Sequence, residues 1–334
     1  MKDRFSGRLV LVTGGLGFIG SNLVHRILQQ GARVRILDAL TPGDGGNRFN
    51  IEGLEGNGAL EVIVGRADDT AVAREAVTGC DFVFHLAGKV SHVDSMEHPL
   101  VDLADNAGST VAILDACRRR NPTARVILAG TRQVYGTPLS LPVNEDHPLR
   151  PPDYNGVSKI AAEVYARVAA DRLGLSTAVL RLTNVYGPRQ LVAHSRASFT
   201  GWLIRKAIRG ETIQLFGTGL QRRDLLYVRD AVDAFLLAAE KIPGNGLAWN
   251  CGREESISLL DFAETVVRIA GSGAIEVVPF PEDRKRIDIG DFSTDSHRLR
   301  EATGWHPRVE LEEGLTRTID FFREHGERYW NATA

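Results

Sequence analysis

Three cysteines among 334 residues, Cys80, Cys117 and Cys251, are too few and too widely spaced for a disulfide framework, and no CxxC pair offers two ligands to a metal. Such sparse thiols fit a reducing compartment. No apolar run reaches the roughly 18 residues a membrane-spanning helix needs. The N-terminal MKDRFSGRLVLVTGG passes from a short charged lead into a glycine turn, without the apolar core of a signal peptide. Like-charge blocks are missing too: 40 basic side chains face 42 acidic ones, and CRRR at 117–120 is short enough to be the solvated end of a helix. Neither a nucleic-acid arm nor an acidic tail is expected. Internal repeats and low-complexity linkers are also lacking. These absences leave a soluble, cytoplasmic protein with no metal site, in which the NAT triplet at 331–333 resembles a glycosylation acceptor by chance. Its length suffices for one large buried core or two joined ones.

What is present is a succession of short apolar runs. RLVLVT (8–13), VRIL (34–37), LEVIV (60–64), DFVFHLA (81–87), RVILA (125–129) and TAVLRL (177–182) read as strands buried on both faces. Helical patterns over 18–30, about 100–119 and 156–172 lie among them. Right-handed crossovers between such strands give an α/β fold, a doubly wound parallel sheet of Rossmann type. After residue 183 the pattern is less regular, with helices expected at 198–209, 230–240, 258–270 and 312–325 and strands at 212–216 and 225–228. This suggests a smaller, interleaved C-terminal substrate domain. The expected division is 1–182 with 224–253 for the cofactor, and 183–223 with 254–334 for the substrate.

Between the first strand and the first helix stands TGGLGFIG, which places Gly14, Gly17 and Gly20 in a GxxGxxG array around Phe18 and Ile19. Glycines let the backbone turn sharply and approach a pyrophosphate, which the helix N-terminus then holds. Asp38 ends the second strand about 20 residues further on, where a carboxylate accepts bonds from ribose hydroxyls. An aspartate there repels a 2′-phosphate, so the expected cofactor is NAD rather than NADP.

These motifs, with FHLAG (84–88), VYG (134–136), RLTNVYGP (181–188), RRDLLYVRD (222–230) and the spacing from Asp295 to Pro307, resemble the extended short-chain dehydrogenase/reductase family, in its nucleotide-sugar epimerase and dehydratase branch. The resemblance implies that Leu86, Ala87 and Gly88 line the cofactor, with Asn106 nearby. It implies an adenine contact from an aspartate after the third strand, here Asp68 or Asp69. Thr131 takes the place of the hydroxyl that bonds the reacting sugar oxygen, and Lys159 that of the lysine on the nicotinamide ribose. Asn184 and Arg223 would face a nucleotide diphosphate sugar, the arginine through forked donors. Lys89 and His92 lie in a loop aimed at the substrate. Tyr135 reads as a packing residue. A homodimer is implied through the helices at 100–119 and 156–172, the second carrying Ala161, Ala162, Ala166, Ala169 and Ala170, which permit close helix approach either between chains or within one.

One departure is conspicuous. The family's catalytic tyrosine stands four residues before its lysine, but DYNGVSK puts Asn155 there and Tyr154 one position earlier. An amide cannot accept a proton at neutral pH, whereas a tyrosine beside a lysine can. Three readings follow: a slipped Tyr154, a proton acceptor drawn from Lys159, Lys89, His92 or a water on Thr131, or loss of redox catalysis with NAD and sugar-nucleotide binding retained. The uninterrupted helical pattern of GVSKIAAE predicts that Asn155 occupies the slot and that Tyr154 points elsewhere. Arg132 and Gln133 follow Thr131 where dehydratases of this branch carry an acidic pair. That favours epimerisation through a transient keto-sugar, with dehydrogenation or decarboxylation as alternatives.

Overall fold

A computed structural model describes residues 4–331 except 55, 57 and 197. The first three residues of the charged lead and the last two of the NAT triplet lie outside the described residues. The early apolar runs become β1 (Leu9–Thr13), β2 (Arg33–Asp38), β3 (Leu60–Val64), β4 (Phe82–His85), β5 (Arg125–Thr131) and β6 (Ser176–Leu182), and Asn245–Cys251 adds β7. All run parallel in the order β7-β6-β5-β4-β1-β2-β3. Alternate side chains leave opposite faces of each strand. Val10 and Val12 therefore join Leu23, Val24 and Ile27 of the helix Phe18–Gln29. Leu11 packs instead with Ala73, Ala76 and Val77 of Thr70–Val77, and with Ile113 and Cys117 of Ser109–Arg120. Each large apolar side chain so buried contributes about 1.5–3 kcal/mol. The strand order reverses on either side of β1, which opens a crevice at the carboxyl ends of the strands.

The helix expected over 100–119 is instead three pieces: Pro99–Leu103, a π turn at Ala104–Gly108, and Ser109–Arg120. Hydroxyls compete for its carbonyls, with Ser109 Oγ donating to Asp105 O at 2.6 Å and Thr110 Oγ1 to Asn106 O at 2.8 Å. The next helix, Tyr154–Leu173, is regular throughout. Asp153 caps it by accepting from Gly156 N at 2.8 Å, and Gly174, at φ +70°, ends it. Of its small residues, Ala166 and Ala169 pack beneath the sheet and Ala162 is buried, so these three serve packing within the chain. Val157, Val164, Tyr165 and Val168 point outward, exposed.

The opposite wall of the crevice comes from segments after residue 183, apart from β7 and the helix Val228–Lys241, which packs on the helix Phe18–Gln29 and on β5 and β6. Thr212–Phe216 pairs with Ala274–Val278 and Asn184–Tyr186 with Leu225–Tyr227, both parallel, beside the helices Phe199–Ile208, Leu259–Ala270 and Leu311–His325. No helix among the described residues is long and apolar enough to cross a membrane.

Candidate active site

The crevice is a cleft of about 570 Å³, the size of a small-molecule site. At one end lies the glycine turn. A Cβ on Gly20 would stand 2.1 Å from Gly14 O, and one on Gly14 would stand 2.9 Å from Ala87 N. Only glycine allows these backbones to close into a cradle, which Gly17, Phe18 and Ile19 complete. Asp38 lines the same end. Its Oδ2 accepts from Leu16 N at 3.0 Å and its Oδ1 from Leu40 N at 2.9 Å. Burial pushes its pKa up, and those two amides oppose the shift. The two acids after β3 separate: Asp68 reaches the cleft, held by Arg66 through two bonds of 2.9 Å, while Asp69 caps the helix Thr70–Val77.

The middle of the cleft is built from β4, β5 and the helix Tyr154–Leu173. Leu86, Ala87 and Gly88 follow β4 along its floor. Asn106 does not line the cleft but stands behind Gly88, where a Cβ would lie 2.5 Å from Asn106 Oδ1 and 3.2 Å from Lys159 Nζ. The π turn sets it back, and its Nδ2 is engaged by Asp102 Oδ2 at 3.0 Å. Thr131 ends β5 facing the cleft and accepts from Gln133 N at 3.2 Å. Asn155 and Lys159, one turn apart, face the cleft together. Asn155 is 2% exposed, and its Nδ2 donates to Asp102 Oδ2 and to Lys89 O, each at 2.9 Å. Both N–H bonds are thereby spent, and the amide oxygen is left as an acceptor. Burial lowers the pKa of Lys159 to about 8, against the pull of Asp102 and Glu163. Tyr154 is 48% exposed and does not line the cleft. No bulge brings its phenol inward, so the slipped-tyrosine geometry is not the one adopted.

Charged and polar side chains from both walls line the cleft. Lys89 lies against Asp44, with Nζ–O distances of 2.6 and 2.5 Å. His92 Nδ1 is 3.0 Å from Asp153 Oδ2. Asn184 Oδ1 accepts from Arg132 at 3.0 Å, and Arg223 pairs with Asp288 at 2.6 Å while also donating to Gly290 O. Arg132 lies over the Phe292 ring, and burial, then the charge of Arg223, brings its pKa down to about 10. Tyr135 is buried behind the site, its hydroxyl on Asn250 Oδ1 at 2.6 Å.

A sequence model of the NAD dependent epimerase/dehydratase family matches residues 10–252. The chain belongs to that family. It is 34% identical over 317 residues to the UDP-glucose 4-epimerase of Mycolicibacterium smegmatis, covering 95% of this chain and 99% of the other. The UDP-glucose 4-epimerase of Thermotoga maritima, solved with UDP-glucose, superposes with a TM-score of 0.85 at 28% identity, over 95% of this chain and 99% of that one. That of Thermus thermophilus, solved with NAD, gives 0.83 at 29% identity, over 94% and 99%. NAD is the cofactor of this enzyme family. The residues present fit it, since the glycine cradle admits nothing larger than backbone and Asp38 stands beside it.

Within this family frame, sequence reasoning overlooked three polar residues of the site. Asp102 has no charged neighbour in sequence to betray its place beneath Asn155. Gln133 was read only for what it lacks as an acid. Asp153 carried a signal, because an aspartate before the first turn of a helix is an N-cap candidate.

Proposed function

We propose that the protein is an NAD-dependent nucleotide-sugar epimerase acting through a transient keto-sugar, with an altered acid–base group. The observation that carries this reading is the convergence of Thr131, Asn155 and Lys159 on one cleft that begins at the glycine cradle. NAD, when bound, takes up a hydride from the sugar and returns it. Asp38 would hold the adenosine ribose, Asp68 would lie toward the adenine, and the turn at Gly14–Gly20 would receive the pyrophosphate. Lys159 would bond the nicotinamide ribose and supply positive potential. Thr131 would orient the reacting hydroxyl, and Asn155, whose N–H bonds are spent, would offer it only an acceptor. Asn184, Arg132 and Arg223 would receive the diphosphate sugar, for which guanidinium groups are suited. Arg132 and Gln133 beside Thr131 supply no acid–base pair for expelling water, which weighs against dehydration.

The assembly proposed is a homodimer through the exposed apolar side chains Leu100, Leu103, Val157, Val164 and Val168. A cytoplasmic location accords with the three buried free thiols.

To test the function, the NAD-loaded protein is incubated separately with UDP-glucose, dTDP-glucose, CDP-glucose and GDP-mannose, and the products are separated by chromatography. An epimer from at least one is the expected result. A keto-deoxy sugar would move the protein to dehydration, and a pentose formed from UDP-glucuronic acid, offered in a parallel incubation, would move it to decarboxylation. Binding without any product would make it an inactive sugar-nucleotide binder, the reading that Asn155 taken alone favours.

A further inference from the structure

An epimerase with an amide in the tyrosine's place still has to remove a proton from a sugar hydroxyl and give it back. Among the groups around the cleft, Lys89 is committed to Asp44 by two short contacts. Lys159 lies deep against Ala129 O and Gly88, where its ammonium is drawn by Asp102 and Glu163. His92 differs from both. Its side chain is 36% exposed, it lines the cleft, and its Nε2 has no partner among the described residues. Its Nδ1 approaches Asp153 Oδ2 at 3.0 Å, short of hydrogen-bond alignment, and has no other partner among the described residues. Loose pairings of this kind are common before a substrate is bound.

Asp153 is built for the role of an orienting carboxylate. Its side chain is 0% exposed. One oxygen accepts from Gly156 N at the head of the catalytic helix, the other from Gln133 Nε2, both at 2.8 Å. Burial would raise its pKa, but His92, the Gly156 amide and Gln133 together hold it below the ordinary carboxylate range. A fixed anion facing Nδ1 keeps the ring proton on that nitrogen and leaves the Nε2 lone pair free. The position is also right. Asn155 Nδ2 grips Lys89 O and so ties the segment leading into the short helix His92–Glu97, which His92 opens, to the head of the helix that carries Lys159. On the other side Gln133 links Asp153 to Thr131, donating to the first through its side chain and to the second through its backbone.

We infer that His92, oriented by Asp153, is the general base and acid of this site. The sugar O–H bond breaks and its proton moves to Nε2, a C=O bond forms, and the hydride of the same carbon is the share of NAD. On the return the proton passes from Nε2 to the oxygen as the hydride comes back to the other face, so nothing is consumed. Asp153 is a positioning residue. The assignment rests on the function proposed above.

The NAD-loaded protein is tested with whichever of UDP-glucose, dTDP-glucose, CDP-glucose and GDP-mannose raises its Tm most. His92→Gln is expected to lower kcat by about 10²–10⁴-fold with KM little changed, and added imidazole is expected to restore turnover in His92→Gly. Asp153→Asn keeps the helix cap but loses most of kcat. Independently of turnover, the ¹⁵N spectrum is expected to show His92 as the Nδ1–H tautomer, with Nε2 shifting when the sugar nucleotide binds. An active His92→Gln variant, or an Nε2 resonance indifferent to the sugar nucleotide, overturns the assignment while leaving the epimerase reading intact. A protein that neither binds nor converts any of the four fails the function and this assignment with it.

Discussion

Replacing Lys159 by methionine should make the protein more stable at neutral pH while abolishing its chemistry. The ammonium is held where burial brings its pKa from 10.5 to about 8. Holding the charged form there costs the folded state about 3 kcal/mol, an upper figure because the side chain still borders the cleft. The sign is fixed by proton counting. Between about pH 8 and pH 10.5 the unfolded chain binds the proton and the folded one does not, so stability rises with pH through that window; below it the penalty is present in full. Wild type should therefore gain about 2 kcal/mol between roughly pH 7 and pH 9.5 from this one group. Lys159→Met, which matches the stem in length, should lack that gain. Urea unfolding of both proteins at the two pH values, without added sugar nucleotide, measures the difference and cancels other titrations. Parallel pH profiles, or a methionine variant destabilised at neutral pH, would refute the argument.

Three further outcomes are expected. Tyr154→Phe should leave turnover within about twofold of wild type, because its phenol lies outside the cleft; activity loss with NAD binding retained would restore the slipped tyrosine. Asp38→Asn should weaken NAD binding and narrow the preference over NADP, read by titration of both cofactors, and a native protein that prefers NADP would contradict the role given to this carboxylate. Light scattering at micromolar concentration should give a dimer, and Val164→Glu with Val168→Glu should give a folded monomer by placing charges on the exposed apolar face.

The central sheet was legible because buried parallel strands need continuous apolar runs, as in FVFH at 82–85, buried throughout; LEVIV at 60–64 also falls on the observed bounds, but as the edge strand it is not buried on both faces as expected. β7 escaped notice. NGLAWNC has asparagines near both ends, and only pairing with β6 makes it a strand. The π turn at Ala104–Gly108 was hidden for a related reason: apolar periodicity marks a helical stretch but not a local widening caused by hydroxyls. In the site, the offset in DYNGVSK gave the position of Asn155, since helical spacing alone puts it above Lys159. The partners of Asn155 and His92 were not legible, because Asp102, Lys89 O and Asp153 come from three separate elements that only the fold brings together.

The helix Tyr154–Leu173 turns Asn155 and Lys159 toward the cleft and Val157, Val164, Tyr165 and Val168 toward the exterior. Reaction geometry and an uncovered greasy flank are thus two sides of one rod about 30 Å long, at 1.5 Å per residue. A helix is stiff along its axis, so whatever leans on the outer side also sets how firmly the inner side is aimed. Quaternary structure and turnover would then be linked through that rod, and specific activity should fall on dilution even with NAD and sugar nucleotide saturating.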